Sequence, residues 1–190
     1  MREEIRKLQE LMEEAEYVTD APVATSVHLS LRLKKPLLIE GHAGVGKTEV
    51  AKVMARMLGT NLIRLQCYEG LDAAAALYEW NYQKQLLHIK LNENRSRAVE
   101  EEEHAIFSEA FLLRRPLLQA ISQPDRSPVL LVDEVDRADE EFEAFMLEIF
   151  SEWQVTIPEI GPIKAAHPPH VILTSNRRSE ERRVGKECRL

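Results

Sequence analysis

Hydrophobic residues along the chain follow two spacings, and the change from one to the other divides the chain into strands and helices. Short runs that are apolar at every position or at alternate positions predict four strands, at 37–40, 61–66, 129–132 and 170–174. Apolar residues that recur every three or four positions predict helices at 2–16, from Asp20 to about residue 34, at 49–58 and from Asp139 to about residue 153. Because strands alternate with helices, the pattern predicts the α/β class, as a three-layer sandwich around a parallel sheet.

Three stretches follow this alternation less clearly. Residues 154–165 alternate around a proline and a glycine, which predicts a β-hairpin. Residues 95–121 begin polar and become apolar, which predicts one or two helices. Residues 69–90 give no clear pattern, and they include three aromatic residues, which are Tyr78, Trp80 and Tyr82. These aromatic side chains are as consistent with a local core as with contacts to another protein.

Composition and charge narrow the class of protein. The chain has 190 residues, of which 44% are hydrophobic, and it lacks any run of about 18 apolar residues, so we expect a domain with its own core and no membrane span. Its charged N-terminus lacks the apolar segment of a secretion signal, which predicts a cytoplasmic location. The net charge of -7 argues against general affinity for nucleic acid or anionic lipid, so protein partners are expected.

The clearest chemical signal is a glycine-rich loop between the strand at 37–40 and the helix at 49–58. It reads Gly41-His42-Ala43-Gly44-Val45-Gly46-Lys47-Thr48, the complete G-x-x-x-x-G-K-[ST] phosphate-binding pattern. Glycines let backbone N–H groups turn toward a triphosphate, and the N-terminus of the following helix favours an anion. Lys47 is expected to reach the β- and γ-phosphates, and Thr48 to ligate Mg²⁺. The flanking strand and helix disfavour the alternative, a glycine-rich turn without a ligand.

Two acidic residues follow the strand at 129–132. They are Asp133 and Glu134, and they lie at the carboxyl end of the strand, which is the edge where open α/β sheets bind ligands. Asp133 is placed to hold Mg²⁺ opposite Thr48, and Glu134 is placed to accept a proton from the water that attacks the γ-phosphate. Two solvent-facing acids at a strand end are the alternative, which the phosphate-binding loop disfavours. The sequence therefore predicts an ATPase with ATP and Mg²⁺ as its ligands.

A pair of acids in this position resembles the AAA+ class of ATPases, in which a glutamate polarises the attacking water. By this resemblance, Asn176 after the strand at 170–174 is the sensor 1 residue, a third catalytic side chain beside Glu134 and Lys47. Taken alone, an asparagine after a strand is also a common turn residue. Gln66 is a candidate for the switch residue that restrains the glutamate in this class.

At finer detail the chain resembles the MoxR branch of AAA+ ATPases in the segments 37–48 and 133–138. Segments 65–72 and 78–87 resemble the subgroup encoded beside molybdenum-dependent carbon monoxide dehydrogenases. This resemblance implies a chaperone-like ATPase that remodels or metallates a client metalloenzyme, together with a von Willebrand factor A domain protein. It also implies a homo-oligomeric ring, expected to be a hexamer. Residues 18–24 would then border the adenine, and residues 69–90 would carry the insert of this branch.

The C-terminal residues have a different character. Residues 178–188 resemble the translation of a common sequencing adapter, so we expect residues 178–190 to be a non-native tail. Residues 1–177 are then an incomplete AAA+ core, truncated before the last core strand, the arginine finger and the helical lid. Such a chain is expected to bind ATP weakly, to hydrolyse it slowly and to form no stable ring, because a finger contributes about 10³–10⁵ in rate.

Two other functions remain open from the sequence. The first is a nucleotide-binding module that switches or scaffolds without significant turnover. The second is a DNA-processing AAA+ motor, which the net acidity and the lack of a basic stripe argue against.

Overall fold

A computed structural model describes residues 2–92 and 99–176 of the chain. The strands are β1 (Leu37–Glu40), β2 (Leu62–Gln66), β3 (Tyr78–Trp80), β4 (Leu112–Arg114), β5 (Val129–Asp133), β6 (Gln154–Ile157), β7 (Gly161–Lys164) and β8 (His170–Ser175). The helices are α1 (Arg2–Glu14), α2 (Ala21–Leu33), α3 (Lys47–Leu58), α4 (Ala73–Leu77), α5 (Tyr82–Asn92), α6 (Val99–Ile106), α7 (Pro116–Ile121) and α8 (Glu140–Glu152). Single 3₁₀ turns occur at Glu109–Phe111 and Val135–Arg137.

The central sheet has four parallel strands in the order β1-β8-β5-β2. All five residues of β5 are buried, as expected of an inner strand covered on both faces. The sequence-based prediction of an α/β fold with a parallel sheet is confirmed, and all four predicted strands are present. Parallel pairing places every carboxyl end at one edge, so that Gln66 lies opposite Asp133 and Glu40 opposite Ser175.

Two apolar layers cover the two faces of the sheet. Val129 and Leu131 of β5 pack with α1, α2 and α3, whereas Leu130 and Val132 pack with α7 and α8 on the other face. This division follows from the strand geometry, since successive side chains point to opposite faces. The arrangement is the predicted three-layer sandwich.

Helix ends follow signals that the sequence carries. The Asp20 carboxylate accepts a hydrogen bond from the N–H of Val23 at 3.1 Å and begins α2. The Asp139 carboxylate accepts one from the N–H of Phe142 at 2.8 Å and begins α8. Gly59 ends α3 in the left-handed conformation, with φ of 59°, which glycine adopts without steric cost. The helix that carries the loop begins at Lys47, two residues before its predicted start.

The segment that begins with β3 and ends with β4, residues 78–114, differs from the prediction, and we call it the insertion. Its two end strands, β3 and β4, pair antiparallel, so the prediction of only helices for 95–121 is wrong at β4. Residues 95–98 of that prediction lie outside the described residues. Trp80 is buried and its ring packs edge to face on Phe107 at 5.3 Å, whereas Tyr82 is exposed.

The remaining predictions concern the hairpin and the membrane. β6 and β7 pair antiparallel and form the predicted hairpin at 154–165. Within residues 2–92 and 99–176, no helix combines the length and the apolar character that crossing a membrane requires.

Candidate nucleotide-binding site

The glycine-rich loop lies between β1 and α3, at the carboxyl edge of the sheet. The Gly41 N–H donates to the Ser175 carbonyl at 3.2 Å, which ties the start of the loop to β8. Gly44 and Gly46 have φ of 85° and 86°, a conformation that other residues adopt only with strain. The N-terminus of α3 directly follows the loop, so its first N–H groups face the same space. This backbone is suited to an anion.

The Lys47 ammonium lies in this loop without a carboxylate partner. Its Nζ donates to the carbonyls of Gly41 and His42, both at 2.8 Å, and to Oδ1 of Asn176 at 2.9 Å. Among the residues that the structure describes, no acidic side chain pairs with it. A half-buried cation that is paired only with neutral oxygens fits an anionic ligand such as a phosphate.

Asp133 ends β5 and lies almost fully buried beside Thr48. The Thr48 hydroxyl donates to its two carboxylate oxygens at 3.3 and 3.5 Å. The Thr174 hydroxyl also donates to this carboxylate, and the Arg64 guanidinium forms an ion pair with it at 2.5 Å. A hydroxyl and a carboxylate side by side are ligands that Mg²⁺ accepts, together with phosphate oxygens of a substrate. The described residues contain no cluster of three acidic, histidine or cysteine side chains that would hold a metal alone.

Glu134 follows in the left-handed conformation, with φ of 57°. Its backbone N–H donates to the Thr174 hydroxyl at 3.0 Å. Three donors hold its carboxylate: Nε2 of Gln66 at 3.1 Å, a guanidinium nitrogen of Arg137 at 3.3 Å and Nδ2 of Asn176 at 3.3 Å. The carboxylate therefore has a fixed position beside the phosphate-binding loop.

Asn176 connects the loop to the glutamate. Its amide oxygen accepts from Lys47 and its amide nitrogen donates to Glu134, while its backbone N–H donates to Asp136 at 3.0 Å. The structure thus brings together Lys47, Thr48, Asp133, Glu134 and Asn176, all of which the sequence singled out. Gln66 also lies in this group.

Two open cavities flank these residues. One of about 350 Å³ lies beside the loop and is lined by Tyr17, Pro22, Val23, Ser26, β1, Val45 and Val50. Burial raises the pKa of the Tyr17 phenol, and the charge of Asp20 adds to this effect. The other cavity, of about 370 Å³, is lined by Glu69, Glu134, Asp136, Arg137 and Asn176. The first has apolar walls suited to a planar base, and the second leaves space for water beside Glu134.

Sequence reasoning missed three side chains of the site, namely Arg64, Arg137 and Thr174. For Arg64 a signal exists, because residues 64 and 66 are two positions apart on β2 and project from the same face of the strand. For Thr174 the signal is its place on β8, the strand next to Asp133. Arg137 is three residues after Glu134, and only the 3₁₀ turn at Val135–Arg137 brings it back to the glutamate.

Comparison with known proteins gives the family. Residues 36–188 match the family described as AAA domain (dynein-related subfamily). A putative ATPase from Cytophaga hutchinsonii has a similar structure, with a TM-score of 0.56 and 19% sequence identity, over 93% of this chain and 45% of that chain. This likeness shows the fold alone, and the chain spans less than half the length of that ATPase. No curated protein matches the chain.

The matched region runs past residue 177 into the stretch predicted to be a non-native tail, and the origin of that stretch stays a prediction. The family match nevertheless covers the whole parallel sheet, the phosphate-binding loop, Asp133, Glu134 and Asn176. The chain therefore belongs to the AAA domain family, in its dynein-related subfamily.

Proposed function

We propose that the carboxyl edge of the sheet binds ATP with Mg²⁺ and hydrolyses the γ-phosphoanhydride bond. The observation that supports this most is the chain of contacts from Lys47 through Asn176 to Glu134. It joins the phosphate-binding loop to a carboxylate that can act as a base. Such a contact chain needs three segments, separated along the sequence, to meet at one sheet edge.

Each side chain has one task in this proposal. The loop backbone and Lys47 bind the phosphates, and Thr48 with Asp133 would hold the metal, which neutralises phosphate charge when bound. Glu134 accepts the proton of the attacking water, and Asn176 orients that water or the γ-phosphate. Gln66 restrains the Glu134 carboxylate, consistent with their separation of 3.1 Å. The apolar cavity beside the loop takes the base.

The biological task follows from the resemblance to the MoxR branch rather than from the site. We infer that the ATPase drives a chaperone-like remodelling or metal-centre assembly of a client enzyme. The partners would be a client metalloenzyme, as in the subgroup beside carbon monoxide dehydrogenase, and a von Willebrand factor A domain protein. Rings are common among AAA domains, and we propose a homo-oligomeric ring, expected to be a hexamer, for the full protein.

A second candidate function is nucleotide binding without significant turnover. It is favoured by the three donors on Glu134, from Gln66, Arg137 and Asn176, because these donors occupy the oxygens with which the carboxylate would hold the attacking water. In this form the site would act as a switch that responds to the bound nucleotide. The DNA-processing alternative is disfavoured by the net charge of -7.

Replacing Glu134 by Gln separates the two functions. ATP binding is measured by fluorescence titration with a labelled ATP, and phosphate release under single-turnover conditions with protein in excess. We expect Glu134→Gln to bind ATP within about threefold of the unaltered chain and to lose at least about tenfold in phosphate release. Glu152→Gln is the matched control, because Glu152 is exposed at the end of α8, and it should change neither quantity.

The outcomes divide clearly. Equal phosphate release from Glu134→Gln and the unaltered chain would contradict the role of Glu134. ATP binding with no release from either protein would support the switch function instead. Failure of the unaltered chain to bind ATP in Mg²⁺ would contradict both.

A further inference from the structure

Arg64 contacts the buried carboxylate that the proposed function assigns to the metal. Its Nη2 and Nε atoms donate to the same oxygen, Oδ2 of Asp133, at 2.5 and 3.1 Å. The Asp133 side chain is 7% exposed, whereas the Arg64 side chain is 54% exposed. In this pair the carboxylate has little access to water, whereas the guanidinium has room to move into solvent.

Gln66 holds this guanidinium in place. Nη2 of Arg64 also donates to Oε1 of Gln66 at 2.6 Å, and the two residues lie two positions apart on β2. A guanidinium has donors only, so it engages the oxygen end of the amide. The nitrogen end of Gln66 is then left for the acceptor-only carboxylate of Glu134, at 3.1 Å. Arg64 thus has two anchors, the carboxylate of Asp133 and the amide oxygen of Gln66.

The remaining contacts of Asp133 show what Arg64 contributes. The hydroxyls of Thr48 and Thr174 also donate to the carboxylate, but they carry no charge. Within the described part of the chain, Arg64 is the one cationic side chain paired with Asp133. Burial of a carboxylate without a counter-charge is strongly unfavourable, so Arg64 stabilises Asp133 when no metal is bound.

A divalent cation at Thr48 and Asp133 would change this balance. It would lie next to the same carboxylate that Arg64 pairs with, and the two cations would repel each other. Because Arg64 is half exposed, it can withdraw to solvent with little change in packing. Binding of the metal therefore has to displace or weaken an ion pair that the protein already has.

We propose that Arg64 is a positioning residue that serves as a resident counter-charge for Asp133 and sets the Mg²⁺ concentration at which the nucleotide site fills. The proposal rests on the proposed function, since it takes Asp133 as a metal ligand. Its consequence is that Asp133 keeps a cationic partner in the absence of metal. The site then binds Mg²⁺ less tightly than it would without the Arg64 guanidinium.

The test is a Mg²⁺ titration of nucleotide binding by the full chain. The probe is ADP carrying an N-methylanthraniloyl fluorophore, added first in EDTA and then at increasing free Mg²⁺. The variants are Arg64→Gln, Arg64→Lys and Arg114→Gln. Arg114 is the matched control because it forms an ion pair with Glu109 in the insertion, so its loss changes the net charge equally.

Arg64→Gln should lower by about fivefold the Mg²⁺ concentration that gives half of the full change in ADP binding, because the metal no longer competes with a cation. Arg64→Lys keeps the positive charge beside Asp133 and should stay within about twofold of the unaltered chain, as should Arg114→Gln. An unchanged or higher Mg²⁺ midpoint for Arg64→Gln, in a protein that still binds the nucleotide, would overturn the proposal.

A second measurement does not depend on the folding of Arg64→Gln. The Nε–H signal of Arg64 in a ¹⁵N-correlated NMR spectrum of the unaltered chain can be identified by its absence in Arg64→Lys. This signal should shift or broaden when Mg²⁺ is added to the ADP-bound protein. An unmoved signal at saturating Mg²⁺ would overturn the proposal.

Failure of the proposed function gives a different result. In that case the unaltered chain would bind the labelled ADP equally in EDTA and in Mg²⁺, or would not bind it. Failure of the proposal about Arg64 leaves the Mg²⁺ dependence of the unaltered chain intact and removes only the difference between it and Arg64→Gln.

Discussion

The carboxyl edge of the sheet and helix α5 of the insertion both depart from the usual division into apolar interior and polar surface. At the edge, the buried polar side chains of Asp133 and Thr174 are hydrogen-bonded to each other and to their neighbours. In α5 the buried side chains are polar, Gln85 and Asn92, while the leucines are exposed. The exposed fractions are 59% for Leu86, 57% for Leu87 and 73% for Leu91.

Contacts within the chain explain the buried polar groups of both regions but not the exposed leucines of α5. At the edge, each polar group has a partner within the chain, and the group as a whole fits a ligand that parallel strands are placed to receive. In α5 the amide of Gln85 is satisfied by the Ile106 carbonyl at 2.7 Å, but the leucines gain nothing from their position. A buried polar group is thus explained by its own contacts, whereas an exposed apolar face is not.

The largest effect on folding is expected from Thr174→Val at the edge. Thr174 is 1% exposed, donates to Asp133 and accepts from the N–H of Glu134, so the valine would leave both groups short of a partner. We expect the free energy of unfolding to fall by about 1–3 kcal/mol, measured by urea denaturation. Thr156→Val on β6 is the matched control, since Thr156 is exposed, and should change it by less than about 0.5 kcal/mol. Equal stabilities for the two variants would show that the edge is not held by these hydrogen bonds.

A smaller effect is expected from a pair of neighbouring changes in α5. Gln85→Leu removes the hydrogen bond to Ile106 and should lower the free energy of unfolding by about 1 kcal/mol, even though it adds an apolar side chain at a buried position. Leu86→Gln, at the next position, should lower it by less than about 0.5 kcal/mol because Leu86 is exposed. Urea denaturation of both variants checks the order. A larger loss for Leu86→Gln would mean that its side chain is covered in solution.

The smallest effect on folding is expected at Cys67, which follows Gln66 at the carboxyl edge of the sheet. Burial raises the pKa of its thiol to about 12, and the negative charge of Asp133 adds to the shift. The thiol is therefore neutral at pH 8 and unreactive, because only the thiolate attacks. In a Cys188→Ser background, a chromogenic disulfide reagent should label Cys67 slowly in the folded chain and rapidly in denaturant. Rapid labelling of the folded chain would contradict the packing at this edge.

The sign of the pH effect follows from the same shift. The folded thiol binds its proton more tightly than the unfolded thiol, whose pKa is near 9, so the folded state holds more protons above that pH. Stability from this group is full below pH 9 and is lost as the pH rises toward 12.

Most of the central fold could be predicted because its signals are local. Strand β5 is an uninterrupted apolar run, and Asp20, Asp139 and Gly59 mark helix ends by side-chain or backbone chemistry that needs no distant partner. The site residues followed from the loop pattern and from the rule that parallel strands meet at one edge. Their convergence was therefore predictable before any contact was known.

The insertion and the two arginines that contact the carboxylates of the site could not be predicted in this way. The pairing of β3 with β4 joins segments about thirty residues apart, each only three residues long, so neither carries enough alternation to be recognised. Gln85 is buried on a helix whose leucines are exposed, which reverses the pattern used to orient helices. Arg64 and Arg137 are ordinary charged residues in sequence, and only the register of β2 and the turn after Glu134 bring them to the carboxylates.

The central claim is that the carboxyl edge binds a nucleotide through its phosphates. It is tested most directly by titrating labelled ATP with Mg²⁺ into the unaltered chain, Lys47→Ala and Lys52→Ala. Lys52 lies on the same helix α3 but pairs with Glu49 at the surface, so its loss changes the charge equally. We predict that Lys47→Ala weakens binding by at least about tenfold and that Lys52→Ala stays within about twofold. Equal binding by Lys47→Ala and the unaltered chain would contradict the account.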